Sequence, residues 1–354
     1  MNPDVVVAGQ GVIGLCSALA LAERKVKVTV VGESAPGEAS RAAAGMLAPS
    51  VERASAEADT FGLAARDRYP DYLDYLQERT GIRAALNRRG ILQIALSPAG
   101  VKGLRKSAPA TSSWLDQSEV SKLEPALSHS LGAVYNPRDG CVDNVALMEA
   151  LLAAVQRTPL IRLSTGRVTQ IDATAESVAV RLADGGAISA ERFILAVGAW
   201  SAHISGAAFA AAVSPAKGQL LEYHGASLGH VTYGPRGYLV PRGAAIIAGS
   251  TMERTGFDAS TSETGIAKIR SAAGEILPRL ANAEPTSFWA GLRPLTPDLL
   301  PLLGPDPSRP SIIYACGHGR NGILMAPLTG DLVADLVTGS PLPHDLAQFR
   351  PDRF

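Results

Sequence analysis

No sign of charge dominates this chain of 354 residues: 33 Lys and Arg stand against 33 Asp and Glu. Nucleic acids and anionic membrane surfaces select a cationic surplus, so the balance argues against both as partners. Cysteine is scarce. Cys16, Cys141 and Cys316 are odd in number, far apart and form no CxxC pair. That excludes a disulfide framework and a thiolate zinc site, and fits a reducing compartment. The six histidines (His129, His203, His224, His230, His318 and His344) show no HxxxH or HExxH spacing, so no metal ligand is named. Internal repeats, low-complexity tracts and linkers rich in Ser, Pro or charge are absent. A basic n-region is also missing before the apolar run at residues 5–22 (VVVAGQGVIGLCSALALA). Three glycines interrupt that run, so it reads as the buried opening of an α/β domain, and the protein is expected to be cytoplasmic.

What is present is a core-forming composition, 46% hydrophobic and 19% charged, at a length that suits two domains. The 35 glycines and 24 prolines exceed ordinary usage and suggest many turns and close backbone approaches. Residues 4–8 (DVVVA) read as a strand buried on both faces, 12–24 as a helix and 26–31 as the next strand, together a βαβ unit. Tyr69, Tyr72, Leu73 and Leu76 recur at helical spacing within 61–79 and form a core-facing stripe. Further strands are predicted at 90–96, 166–172, 177–182, 192–197, 218–223, 237–241, 245–251 and 311–316. Helices are predicted at 144–157, 263–280 and 321–337. Asp184-Gly185-Gly186 supplies hairpin chemistry. Strands of both kinds interleave with helices throughout, so two domains are woven together.

Gly9-Gln10-Gly11-Val12-Ile13-Gly14 is a GxGxxG that follows a strand and opens a helix. Gly9 permits the tight turn, Gly11 the approach of a pyrophosphate, and Gly14 close packing of helix on strand. The helix N-terminus offers free N–H groups to phosphates. Glu33, past the second strand, can accept hydrogen bonds from ribose hydroxyls. The motif alone does not separate NAD from FAD.

The next segment, Glu38 to Pro49 (EASRAAAGMLAP), puts small residues in a row where a backbone can approach a flat ring. With GQGVIG before it, GYLVPR (237–242), FWAGLRPLTPDLLPLLG (288–304) and CGHGRNGILMAPLTGDLVADL (316–336) after it, the chain resembles the glycine-oxidase (ThiO-like) members of the D-amino-acid oxidase and sarcosine oxidase superfamily. The resemblance runs nearly end to end. It implies FAD bound non-covalently in an extended form. Val12 and Ile13 would meet the pyrophosphate, Glu33 and Ser34 the adenosine end, and Ala39 and Ser40 the phosphates. Ala44, Gly45 and Met46 would border the isoalloxazine, Val168 would present its backbone to the adenine, and Gly198 would complete the cofactor contacts. His318, Gly319, Arg320, Asn321, Gly322, Ile323 and Leu324 would lie under the pyrimidine edge, where a helix N-terminus stabilises charge on the reduced ring.

On the substrate side the resemblance implies that Arg293 clamps the carboxylate, whose two oxygens suit a planar fork. The competing reading is an ion pair in the domain interface. Arg320 matches the family's second arginine and Tyr238 its active-site tyrosine; Tyr238 reads equally as a half-buried strand aromatic, and Met252 as pocket lining or plain core. Ala48, in the stretch 48–52 (APSVE), borders the entrance in the family. Arg236 stands where the family carries a histidine, and adds a cation at the pocket mouth. No cysteine lies around Arg293, where covalent-flavin members carry theirs, so the FAD is expected to be dissociable.

The implied fold is α/β. A Rossmann-like FAD-binding domain with a mixed, largely parallel sheet (1–85, 140–210 and 300–354) is interwoven with an α+β substrate domain (86–139 and 211–299) built on a large antiparallel or mixed sheet. The implied reaction is oxidative deamination of glycine, sarcosine and small D-amino acids by hydride transfer to flavin N5, with molecular oxygen as acceptor, in thiamine biosynthesis. Homo-oligomerisation follows from the resemblance alone. The alternatives are a D-amino-acid or N-methyl-amino-acid dehydrogenase that passes electrons to a quinone or partner protein, an NAD-dependent dehydrogenase, and a non-catalytic dinucleotide-binding subunit.

Overall fold

The structure, a computed structural model, describes residues 3–52 and 56–354. A six-stranded sheet runs in the order Leu302–Pro305, Ile312–Cys316, Arg192–Leu195, Val5–Ala8, Val28–Gly32 and Ile161–Thr165. Only Leu302–Pro305 is antiparallel to its neighbour. Val5–Ala8 lies inside this sheet and is buried at every position, which is why its sequence is apolar without alternation. The helix Val12–Glu23 is buried everywhere except Glu23. It is sandwiched between sheet and helices and therefore shows no polar face. Its main partner is the C-terminal helix Gly322–Thr338, which approaches so closely that a Cβ on Gly330 would lie 2.7 Å from the Cys16 carbonyl carbon.

The second sheet has eight strands: Ser287–Leu295, Ser214–His224, Ala245–Gly249, Tyr238–Arg242, Val231–Tyr233, Ile91–Ala95, Gly132–Asn136 and Ser113–Asp116. Every pairing is antiparallel except Val231–Tyr233 with Ile91–Ala95. The chain visits the two sheets in turn, and a small sheet (Met46–Leu47, Gly140–Val142, Leu86–Asn87) lies along the crossings. This is the α/β architecture read from the sequence: a mixed, largely parallel sheet beside a large, mainly antiparallel one. Among the described residues no helix is long and apolar enough to cross a membrane.

Several elements differ from expectation. The segment 61–79 is split between two helices, Ala56–Asp67 and Tyr69–Thr80, and the stripe lies wholly on the second. Pro70 lacks the N–H that would continue the first into the second. The strands Val168–Ala173 and Val178–Leu182 join Ala187–Ala190 in an antiparallel meander outside the main sheet. The helix predicted to 280 stops at Ile276, two residues before Pro278. The helices Pro98–Ser107 and Gln117–Leu123 were not expected. The second announces itself by a capping box, Asp116 with Glu119, that was readable in the sequence.

Gly330 offers a test of the helix contact. Gly330→Val should push the two helices apart and cost about 1–3 kcal/mol, seen as a lower thermal midpoint. An unchanged midpoint would show that the contact is dispensable.

Candidate active site

A cavity of 810 Å³ takes its walls from both sheets. On the side of the parallel sheet it is lined by Gly9, Gly11, Val12 and Ile13, at the carboxyl edge of Val5–Ala8. Gly14 lies just behind, where any Cβ would overlap the Gly9 carbonyl, so its part is the close packing of helix on strand. The Ser40 hydroxyl accepts the Val12 N–H at 3.0 Å. The first turn of the helix carries no acidic residue and Gly11 no capping side chain, which leaves that end open to an anion.

Glu33 lines the cavity with Val168, and the Arg167 guanidinium lies 3.9 Å from its carboxylate. Gly198, Ala39, Ala44, Gly45, Met46 and Ala48 also line it. So do His318, Gly319, Arg320, Asn321, Gly322 and Ile323. Two expected cofactor residues do not. Ser34 is exposed beside Glu33 and outside the cavity. Leu324 is one step of about 100° further round its helix than Ile323 and is buried in the core. An elongated cleft with a tight glycine turn, a helix end free of acidic side chains and a carboxylate beyond it fits an extended dinucleotide.

His318 is buried with its Nε2 3.2 Å from the Thr329 hydroxyl. Burial drives the imidazole down to about 3, so it is neutral near pH 7.

On the side of the large sheet, Arg293, Tyr238 and Met252 line the same cavity. Arg293 is half-buried. Its Nη2 donates to the Ser250 hydroxyl at 2.8 Å and its Nη1 to the Thr251 carbonyl at 3.2 Å. Among the described residues no carboxylate is within ion-pair distance of it, so the interface ion pair, its competing reading, is absent. Its guanidinium lies against Gly218, where a Cβ would collide with it. Arg320 differs: it is paired with Glu52. The other Glu52 oxygen accepts the Tyr233 hydroxyl at 3.0 Å. Burial, then the Glu52 charge, holds that hydroxyl well above its ordinary value, so Tyr233 stays protonated. Tyr233 and Tyr238 are register partners across one hairpin, with ring centroids 5.6 Å apart. Among the described residues the Tyr238 hydroxyl has no hydrogen-bond partner.

Arg236, expected at the pocket mouth, is elsewhere. Its side chain is exposed, pairs with Glu275 and donates to the Ser271 hydroxyl at 3.0 Å, and it does not line the cavity. Glu275 arrives from the helix Glu263–Ile276, which sequence proximity to Tyr238 does not reveal. Sequence reading also missed Tyr233, Ser250 and Thr251. For Tyr233 a signal existed, since Tyr-Gly-Pro-Arg-Gly-Tyr is a hairpin whose two tyrosines face each other.

Residues 4–336 match the FAD dependent oxidoreductase family. The chain belongs to that family. Its cofactor is therefore FAD, and the cleft described above accommodates it. The chain is 34% identical over 371 residues to the bifunctional protein ThiO/ThiG of Synechocystis sp., with 99% of this chain and 54% of that protein covered. It thus spans about half the length of the bifunctional relatives it matches. It is 33% identical to the glycine oxidase of Geobacillus kaustophilus, covering 98% of this chain and 96% of that one. The crystal structure of glycine oxidase from that organism superposes with a TM-score of 0.92 at 32% identity, over 100% of this chain and 99% of that one.

The neutral His318 has a measurable consequence. Below about pH 6.5 the unfolded imidazole binds a proton that the folded one refuses until about pH 3. Stability should therefore fall as pH drops through that window, by about 1.4 kcal/mol per pH unit for the one proton. Denaturant midpoints of native protein and His318→Gln, compared from pH 7 to 5, should diverge with that slope. Parallel curves would refute it.

Proposed function

We propose that this chain is an FAD-dependent oxidase of glycine and other small amino acids or amines, such as sarcosine and small D-amino acids. The observation that carries the reading is the state of the two arginines. Arg320 is satisfied by Glu52, whereas Arg293 meets the cavity with only a carbonyl and a hydroxyl as partners. A half-buried guanidinium without a counter-charge is satisfied by an incoming carboxylate, through paired N–H···O bonds. Tyr238 supplies a further donor from another strand of the same sheet. Full-length similarity to a glycine oxidase supports the same substrate class.

Arg293 and Tyr238 would fix the carboxylate and so turn the Cα–H bond toward the cofactor side of the cavity, which is catalysis by orientation. Bound FAD supplies the two-electron acceptor for that bond. His318, the histidine beside the proposed flavin site, is buried and neutral, so this reading assigns it no part in proton transfer. The substrate ammonium loses its proton to water before the lone pair assists C–H cleavage. The Glu52–Arg320 pair and the Tyr233 ring wall the entrance beside Ala48, which favours small side chains. Overall, amino acid, O2 and water give the keto acid (glyoxylate from glycine), ammonia and H2O2. The similarity to ThiO/ThiG supports a place in thiamine biosynthesis.

Oxygen uptake by the purified protein with glycine, sarcosine, D-alanine and L-alanine tests this. Peroxide formation with the first three and not the fourth is expected. Bleaching of the flavin without oxygen uptake would instead identify a dehydrogenase. In the same assay Arg293→Ala should raise KM about 100-fold or more while the visible flavin spectrum persists. Unchanged kinetics would remove Arg293 from the clamp.

A further inference from the structure

Four successive backbone carbonyls beside the cavity are held by side chains from distant parts of the chain. Asn144 Nδ2 donates to the Ser40 carbonyl at 2.8 Å and to that of Arg41 at 3.2 Å. Trp289 Nε1 donates to the Ala42 carbonyl at 2.9 Å, and Arg242 Nη2 to that of Ala43 at 3.2 Å. Arg242 also donates to Asn144 Oδ1 at 2.6 Å, which closes the network. Asn144 is completely buried. These three residues come from a helix start and from two strands of the large sheet, and they grip a strip whose other side lines the cofactor cleft.

Arg242 is the charged member, and the site described so far does not use it. Among the described residues it has no carboxylate within ion-pair distance. It borders a second cavity of 320 Å³ with Cys141, Asp143 and Arg89, and Ala44 separates that cavity from the first. A trans peptide points its C=O and the next N–H in opposite directions. With the Ala43 carbonyl turned to Arg242, the Ala44 N–H is therefore turned to the cofactor cleft. Ala44 is buried, and among the described residues its N–H has no hydrogen-bond partner. A buried donor of this kind calls for an acceptor that the chain itself does not provide.

We propose that Arg242 is a positioning residue for the cofactor: through the Ala43 carbonyl it fixes the Ala44 amide against the isoalloxazine. The assignment rests on the FAD-oxidase reading. Tyr238 and Arg242 are four residues apart on one strand and so share a face, with Val240 between them. One strand thus carries the substrate-side tyrosine at one end and the grip on the cofactor strip at the other. Distance between the two reaction partners is set within five residues.

The test uses full-length R242A and R242K, with FAD removed and titrated back by flavin fluorescence. For R242A the FAD dissociation constant should rise about tenfold or more. Anaerobic flavin bleaching at saturating glycine should slow about tenfold or more, with little change in KM and an unaltered apoprotein thermal midpoint. R242K should recover most of both losses. Millimolar guanidinium, which the second cavity can admit, should recover part of them in R242A. FAD affinity and bleaching rate equal to native in R242A would overturn the proposal, as would losses that track only a lowered apoprotein midpoint. If R242A does not fold, R242Q replaces it with the same two readings. Native apoprotein that fails to bind FAD would refute the oxidase reading instead.

Discussion

The peptide strip from Ser40 to Gly45 is pinned between the two sheets, and both halves of the active site take their geometry from it. At one end the Ser40 hydroxyl engages the first turn of the phosphate-side helix. At the other the Gly45 carbonyl accepts the Val142 N–H at 2.8 Å. Gly45 itself turns at φ 81°, with the Val142 carbonyl where a Cβ would be, so no side chain can be placed there. Between these points every carbonyl from Ser40 to Ala43 is held from outside the strip. A helix of four residues cannot hold its own shape by internal hydrogen bonds. Tertiary contacts dictate it, which is why small residues suffice in the strip and the specificity lies in Asn144, Arg242 and Trp289.

The substrate half depends on how charge is distributed over three cations. Lys217 is buried beside Gly218 on the strand under Arg293, and its ammonium lies 3.0 Å from Asp258 and 3.6 Å from Glu253. Gln219 adds a donor to Glu253 at 2.7 Å. These contacts tie the segment after Ser250 to the strand Ser214–His224. The Thr251 carbonyl and Ser250 hydroxyl are thereby fixed where they orient Arg293. Glu253 and Asp258 are thus taken up by Lys217, and Glu52 by Arg320. Arg293 is held by neutral acceptors, which set its direction without cancelling its charge. A clamp for an anion needs both properties.

How much of this was legible follows the range of the interactions. The βαβ opening was readable because its determinants lie within 33 residues: an apolar strand, three glycines, a helix and Glu33. Four strands of the large sheet were readable from local pattern, whereas Ser113–Asp116, Gly132–Asn136, Val231–Tyr233 and Ser287–Leu295 were not; Arg293, Arg320 and Tyr238 were singled out from motifs, and all three line the cavity. Illegible parts depend on partners far away in sequence. Arg236 was misplaced because its partner Glu275 comes from a helix 39 residues on. Glu52 was noted only as part of an entrance stretch, since its pairing with Arg320 spans most of the chain. Arg242 stood inside a recognised motif, yet its purpose depends on Asn144 and the Ala43 carbonyl, 98 and 199 residues distant. Leu324 and Ser34 failed for a simpler reason: a motif names consecutive residues, whereas helix and strand periodicity sends neighbours to different faces.

Two of the titratable groups that line the cavity are fixed in their neutral forms. Burial keeps His318 neutral and the Tyr233 hydroxyl protonated. Glu52 is occupied by Arg320 and Tyr233. In the proposed reaction the protein would contribute fixed charges and fixed donors around the carboxylate, and would leave the titration of the substrate ammonium to solvent. Breaking a Cα–H bond toward an acceptor demands alignment more than proton transfer from a side chain, and alignment comes from rigid strands. Tyr238 and Arg242 on one strand, and Arg293 and Trp289 on another, each place one proposed substrate contact and one grip on the cofactor strip. Movement of the large sheet against the strip would misalign both at once, so these two strands of one sheet carry the constraint on which the proposed chemistry depends.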